Sequence, residues 1–348
     1  MMNRTTLGRT GIEVSEYCLG TMTFGTQTSE AHAHTQIEMA LDAGIDFLDT
    51  AEMYPVNPVK PETVGRTEEI IGNWNATSGR RSEVVIATKH SGQGGFVRPG
   101  QPITMDTIEE TLNGSLRRLQ TDYVDLYQLH WPNRGSYHFR QNWGYDPSKQ
   151  PSSEAIFDEM CGILEKLKEM ETAGKIRAFG LSNESAWGTM KWLEAARATG
   201  GPRVASIQNE YSLLCRLYDT DMAETACHED ITLLAFSPLA CGYLTGKYQG
   251  GTVPEGSRKS IGENMGGRAT PRVNTATSAY LDIAAKYGVD PTHMALAWTV
   301  TRPFPTIPIF GATTLDQLTH ILGGLDVNLT KELLADVDKA HRAHPMPY

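Results

Sequence analysis

The chain is short of the features that mark secreted, membrane-spanning or metal-clamped proteins. Its five cysteines, Cys18, Cys161, Cys215, Cys227 and Cys241, are an odd number and contain no C-x-x-C pair. That fits a reduced, cytoplasmic protein better than a disulfide scaffold or a zinc ribbon. No apolar run is long enough to cross a bilayer, and the opening MMNRTTLGRTGIEVSEYCLG carries charge and glycine where a signal peptide would be apolar. Positive charge is also scarce. A formal net charge of -10 argues against nucleic acid or an anionic membrane as the main partner, while leaving room for a local basic pocket. His90, His138 and His293 are scattered without ligand spacing and H-E-x-x-H is absent, so no metal is expected. G-x-G-x-x-G is missing as well; SGQGGF does not match it. A dinucleotide would have to be held without a Rossmann loop.

What is present is an alternation of short apolar runs with amphipathic helical segments, the sequence form of repeated βαβ units. A hairpin turning at Gly8 to Gly11 precedes a first strand at Cys18 to Gly20. Further strands are expected at Ile45–Thr50, Val84–Lys89, Asp125–His130, the AFGLSN and SIQNEYS runs, Thr232–Leu239 and Thr306–Thr313. Helices are expected at Glu30–Ala43, Thr67–Trp74 with Thr67 as N-cap, Thr104–Leu119, Ser153–Ala173 and Ser185–Thr199, two more after residue 275, and others beginning at Thr314 and Thr330. Long loops at 131–152 and 240–275 interrupt the pattern, the first rich in aromatic residues. Eight alternations predict a single-domain α/β fold over residues 1–348: a (β/α)8 TIM barrel with an N-terminal β-hairpin and long βα loops at the C-terminal face.

On that fold, Asp49, Lys89 and His130 each end a different strand, and Tyr54 lies in the loop just beyond the first. Singly, each has an ordinary structural explanation: a turn acid, a solvated lysine, a core histidine, a packing tyrosine. Together at one rim they form a chemical set. A free phenol has a pKa of about 10, too high for efficient proton exchange at neutral pH. A neighbouring Lys89 ammonium, held by Asp49, is expected to lower it so that Tyr54 serves as general acid to a carbonyl oxygen. His130 would orient that carbonyl, with hydride supplied by a cofactor.

The stretches GTMTFG, FLDTAEMY, IATK, DLYQLHWP, GLSNES, QNEYS, FSPLACGYLTGKY and FGATTLDQL, in that order, resemble the blocks of the aldo-keto reductase superfamily over nearly the whole chain. The branch most resembled is the bacterial Tas-type one, related to the potassium-channel β subunits. The resemblance implies Asp49, Tyr54, Lys89 and His130 as a catalytic tetrad and NADP (NADPH) as cofactor. It implies cofactor contacts from Gly20, Thr21, Met22 and Asp49 near the nicotinamide ribose, from Ser182, Asn183 and Gln208 to the carboxamide, and from Tyr211 stacked on the ring. Ser237, Pro238, Leu239, Ala240, Cys241 and Gly242 would follow the pyrophosphate, with Lys247 and Arg258 over the phosphates and Gly311, Thr313 and Gln317 on the adenosine side. Lys247, Arg258 and Thr313 favour the 2'-phosphate of NADP over NAD. Where relatives carry a Glu and an Asn against adenine, this chain has His320 and Ile321.

The small-molecule carbonyl substrate is expected to meet Met53, Trp131 and Trp143, with Tyr137, Phe139 and Tyr145 completing an aromatic wall. Another function class remains open on the same resemblance: an NADP-binding, redox-sensing regulatory subunit. His130 favours catalysis, since the channel subunits carry a different residue there. No helix has the over-apolar outer face that would mark a subunit interface.

Overall fold

The computed structural model describes residues 2–94 and 96–348. A two-stranded antiparallel hairpin, β1 (Arg4–Thr6) and β2 (Glu13–Ser15), leads into eight parallel strands that close on themselves. These are β3 (Cys18–Gly20), β4 (Phe47–Asp49), β5 (Val85–His90), β6 (Val124–Leu129), β7 (Ile176–Ser182), β8 (Val204–Glu210), β9 (Thr232–Phe236) and β10 (Thr306–Phe310). The helices α1 (Glu30–Asp42), α2 (Arg66–Ser78), α3 (Met105–Leu119), α4 (Ser153–Thr172), α5 (Ala186–Thr199) and α6 (Asp221–Glu229) follow β3 to β8 in turn. The short α7 (Arg258–Ile261) with α8 (Val273–Tyr287) and α9 (Pro291–Val300) follows β9, α10 (Leu315–Leu322) follows β10, and α11 (Lys331–Ala343) ends the chain. This is the (β/α)8 barrel with its N-terminal hairpin.

Helix α3 illustrates why these segments fold so. Ile108, Leu112, Leu116 and Leu119 recur at three- and four-residue spacing and all are buried, each side chain contributing about 1.5–3 kcal/mol. Thr104 and Thr107 form a reciprocal cap at its start. At α2 the expected cap is corrected. Gly65 occupies the N-cap position, and the hydroxyl of Thr67, the second residue of the helix, donates to the Phe24 carbonyl at 2.8 Å. The 240–275 loop is likewise shorter than expected, because it contains α7 and yields to α8 at Val273.

Two apolar layers form. One lies between strands and helices. The other fills the barrel, where Phe47, Ala87, Leu126, Ala178, Leu234 and Ile309 meet Leu7, Ile12 and Val14 of the hairpin. Side chains alternate along a strand, so these inward residues set the parity. Two positions further along, Asp49, Lys89, Gln128 and Phe236 point the same way, toward the mouth. Among the described residues no helix is long and apolar enough to cross a membrane.

Candidate active site

The barrel places the four rim residues on adjacent elements. β4 pairs with β5, and β5 with β6, so the ends carrying Asp49, Lys89 and His130 lie side by side. Lys89 is fully buried. Its ammonium donates to Asp49 Oδ2 at 2.7 Å, to the Thr50 carbonyl at 2.7 Å and to the Tyr54 hydroxyl at 3.4 Å. All three donors of the ammonium are thus directed. Tyr54 and His130 are buried but reach the surface of the mouth, at 9% and 8% exposure, with ring centroids 5.9 Å apart.

Asp49 is held from the opposite side as well. Gln208 Nε2 donates to its Oδ1 at 2.7 Å, and Gln128 Nε2 reaches the same oxygen at 3.4 Å. Gln128 was not expected from the sequence, although its inward parity on β6 was the available signal. Ser182 donates to the Gln208 carbonyl at 2.9 Å. Asn183 Nδ2 donates to the His130 carbonyl at 2.9 Å, and its Oδ1 is buried with no partner among the described residues.

The electrostatics correct one expectation. Burial pushes the Tyr54 phenol above its ordinary range; Lys89 pulls it back only in part, and Asp49 adds to the rise. Tyr54 is therefore a phenol kept protonated, not one tuned downward. Burial would lower the Lys89 ammonium, but the nearby Asp49 and Tyr54 oxygens hold it above the usual lysine range. His130 sits well below its ordinary value, through burial and the adjacent Lys89, so its ring is neutral.

Thr21 Oγ1 donates to the Asp49 carbonyl at 2.8 Å, and Met22 accepts from the Val56 amide at 3.1 Å, which fixes the Gly20–Met22 segment against β4. Tyr211 is placed elsewhere than expected. It follows Glu210 with outward parity, is fully buried, stacks on Trp298 at 5.3 Å and donates its hydroxyl to Asp219. Its ring has no free face at the mouth. Phe236, half-buried at the end of β9 and inward by parity, is the aromatic ring positioned there instead.

After β9 the backbone turns through left-handed conformations at Ser237, Ala240, Cys241 and Gly242, with φ of 54°, 48°, 56° and 95°. Three of these are not glycine, and each costs on the order of 1 kcal/mol or more, the kind of strain that collects in ligand-binding turns. Lys247 folds onto the turn: a Cβ on Gly242 would lie 2.6 Å from its Cε. Burial holds both Lys247 and Arg258 below their usual ranges, and among the described residues no carboxylate offsets it. Thr313 and Gln317 bind each other, with the Thr313 amide donating to Gln317 Oε1 at 3.0 Å beside Gly311.

The aromatic loop divides. Trp131 packs on His130 at 4.9 Å, with Phe139 at 6.5 Å behind it, and Met53 is half-buried next to Tyr54. Trp143 instead lies exposed under Arg272, and Tyr137 and Tyr145 pack together along a surface groove with Trp187, Leu217 and Met222. Among the described residues, none of Trp143, Tyr137 and Tyr145 stacks on a tetrad ring. Deeper in, Glu210 accepts from Arg140 of the 131–152 loop, from Arg268 of the 240–275 loop at 2.8 Å and from the Tyr348 hydroxyl at 3.4 Å. Away from the mouth, Asp290, His293 and His320 converge, a grouping that sequence spacing did not reveal.

The family model described as "Aldo/keto reductase family" matches residues 16–342. Protein tas of Escherichia coli (strain K12) is 42% identical over 340 residues, covering 97% of this chain and 96% of that protein. An uncharacterized oxidoreductase, YrpG of Bacillus subtilis (strain 168), is 33% identical over 344 residues, covering 96% and 94%. A probable voltage-gated potassium channel subunit beta of Oryza sativa subsp. japonica is 31% identical over 357 residues, covering 99% and 98%. A closed parallel barrel and a sequence match that runs almost from end to end make this chain a member of the aldo/keto reductase family.

Proposed function

We propose that the protein is an NADPH-dependent reductase that converts aldehydes, and ketones in some cases, to alcohols, acting as one catalytic unit over the whole chain. The observation that carries this reading is the single buried ammonium of Lys89 touching both Asp49 and Tyr54 at the barrel mouth.

The residues fit a nicotinamide dinucleotide. Asn183 offers a buried, unpartnered acceptor beside Ser182 and Gln208, suited to a carboxamide, and Phe236 supplies the ring face that Tyr211 cannot. Lys247 and Arg258 are cations with no carboxylate partner among the described residues, beside a strained turn of the kind that receives phosphate. Their charge, with Thr313, favours the additional phosphate of NADP. When bound, the nicotinamide supplies the hydride to the carbonyl carbon.

The chain's own part is to place the carbonyl and deliver a proton. Tyr54, kept neutral by burial, donates its hydroxyl proton to the carbonyl oxygen. Lys89 stabilises the phenolate left behind at 3.4 Å, and Asp49 keeps Lys89 charged. Neutral His130 retains a ring proton with which to donate to the same oxygen. Trp131 and Met53 flank the substrate and exclude water.

Tyr54→Phe tests the proton donor. NADPH binding, followed by fluorescence, is expected to stay within about twofold, while reduction of an aromatic aldehyde falls by roughly 10²–10⁴. Near-normal turnover by the variant rules out the assigned role. The potassium-channel relatives define the competing outcome: tight NADPH binding by the unaltered protein with no turnover across a broad aldehyde panel assigns it to redox sensing.

A further inference from the structure

We infer that Asp290, His293 and His320 form a binding site for a divalent ion of the zinc class, on the helical layer between α9 and α10. Asp290 caps α9: its Oδ1 accepts from the amides of Thr292 at 2.8 Å and His293 at 3.2 Å. Its other oxygen, Oδ2, faces His320 Nε2 at 3.3 Å. His293 is one turn into α9 with Nδ1 3.9 Å from Asp290.

The state of His293 is what separates this group from a chance cluster. Its Nε2 lies 2.6 Å from the His320 backbone carbonyl. A carbonyl oxygen only accepts, so Nε2 carries the proton and Nδ1 in the neutral ring presents a lone pair. Fixing one ring nitrogen on a carbonyl so that the other can ligate is the usual support of metal-binding histidines. The ring is also held in place. Gly324 lies against it, where a Cβ would come within 2.1 Å, and the more exposed His320 ring faces it at 4.8 Å. A simple ion pair between Asp290 and protonated His320 would explain only half of this, because it gives the His293 lone pair no role.

The three candidate ligand atoms lie within 4.8 Å of one another. Ion bonds of about 2.0–2.1 Å in a tetrahedron place ligand atoms roughly 3.3 Å apart. His320 is half-exposed, so its ring can swing to close the difference while Asp290 and His293 stay fixed. Two imidazoles and one carboxylate suit zinc, cobalt, nickel or copper better than magnesium or calcium. Three ligands leave a fourth position for water. The bound ion would brace the start of α9 against α10, the helix that carries Gln317.

The test is a calorimetric titration of Zn²⁺ into the full chain carrying Cys227→Ser, which removes the exposed thiol as a competitor. One site is expected, and Co²⁺ should give the intense visible band of a four-coordinate ion without thiolate charge transfer. His320→Gln changes an exposed side chain, and Asp290→Asn keeps a residue that still caps the helix. Each is expected to weaken Zn²⁺ at least about tenfold, since loss of a supporting partner alone costs 10–100-fold. Absence of a site in the parent, equal affinity in parent and variants, or a thiolate band with Co²⁺ would each overturn the proposal.

Discussion

Two lysines near the mouth, Lys89 and Lys247, are both withdrawn from water, and their surroundings treat them oppositely. Lys89 has Asp49 within 2.7 Å and is held above the usual lysine range. Lys247 has no carboxylate among the described residues to answer its burial and falls below that range. The first charge is already neutralised inside the fold, so it serves to fix Tyr54. On the function proposed above, the second is the one that meets a cofactor phosphate.

The largest expected effect comes from breaking the first pair. Lys89→Met strands Asp49 as a buried charge, so unfolding stability in urea should fall by about 3–5 kcal/mol, and aldehyde turnover should be lost with it. Adding Asp49→Asn should restore part of the stability and none of the turnover. Lys247→Met sharpens the contrast. Stability should change by less than about 1 kcal/mol, kcat at saturating NADPH should hold, and NADPH affinity should weaken roughly tenfold, or about 1.4 kcal/mol. A Lys247→Met protein as destabilised as Lys89→Met would erase the distinction.

A smaller effect separates the two aromatic rings. Phe236→Ala should weaken NADPH binding by about 1 kcal/mol, whereas Tyr211→Phe should leave binding unchanged and cost about 1 kcal/mol of stability through its lost bond to Asp219. The smallest effect is on pH dependence. Lys247 is lowered and so loses its proton sooner than an ordinary lysine, while Tyr54 is raised and keeps its proton longer than an ordinary tyrosine. As pH rises, the dissociation constant for NADPH should therefore start to increase at a lower pH than that at which kcat falls. His130 is neutral, so no inflection in kcat should appear near pH 6–7. An inflection there would assign His130 a titrating role.

Much of this was legible in the sequence because strand parity and helix periodicity are local. Asp49, Lys89 and His130 follow buried runs that could only be strands, and their shared rim followed from the barrel. Strand ends shifted by one to three residues, as at Val124–Leu129 and Thr232–Phe236, because hydrogen-bonded pairing and not hydrophobicity decides where a strand stops. Tyr211 went astray because a block resemblance does not count side-chain alternation; one residue reverses the face. The sign of the Tyr54 shift was missed because burial depends on the closed mouth, which no spacing encodes. Asp290, His293 and His320 lie up to 30 residues apart along the chain and meet only where the fold brings the start of α9 to the end of α10.

Glu210 has a further consequence. One carboxylate is gripped by an arginine from each of the two long segments that overhang the mouth. Lifting either segment takes one arginine from a charge that remains inside, and the arginine left behind is then held the more tightly. The two segments are thus tied to a common pin, and freeing one fastens the other.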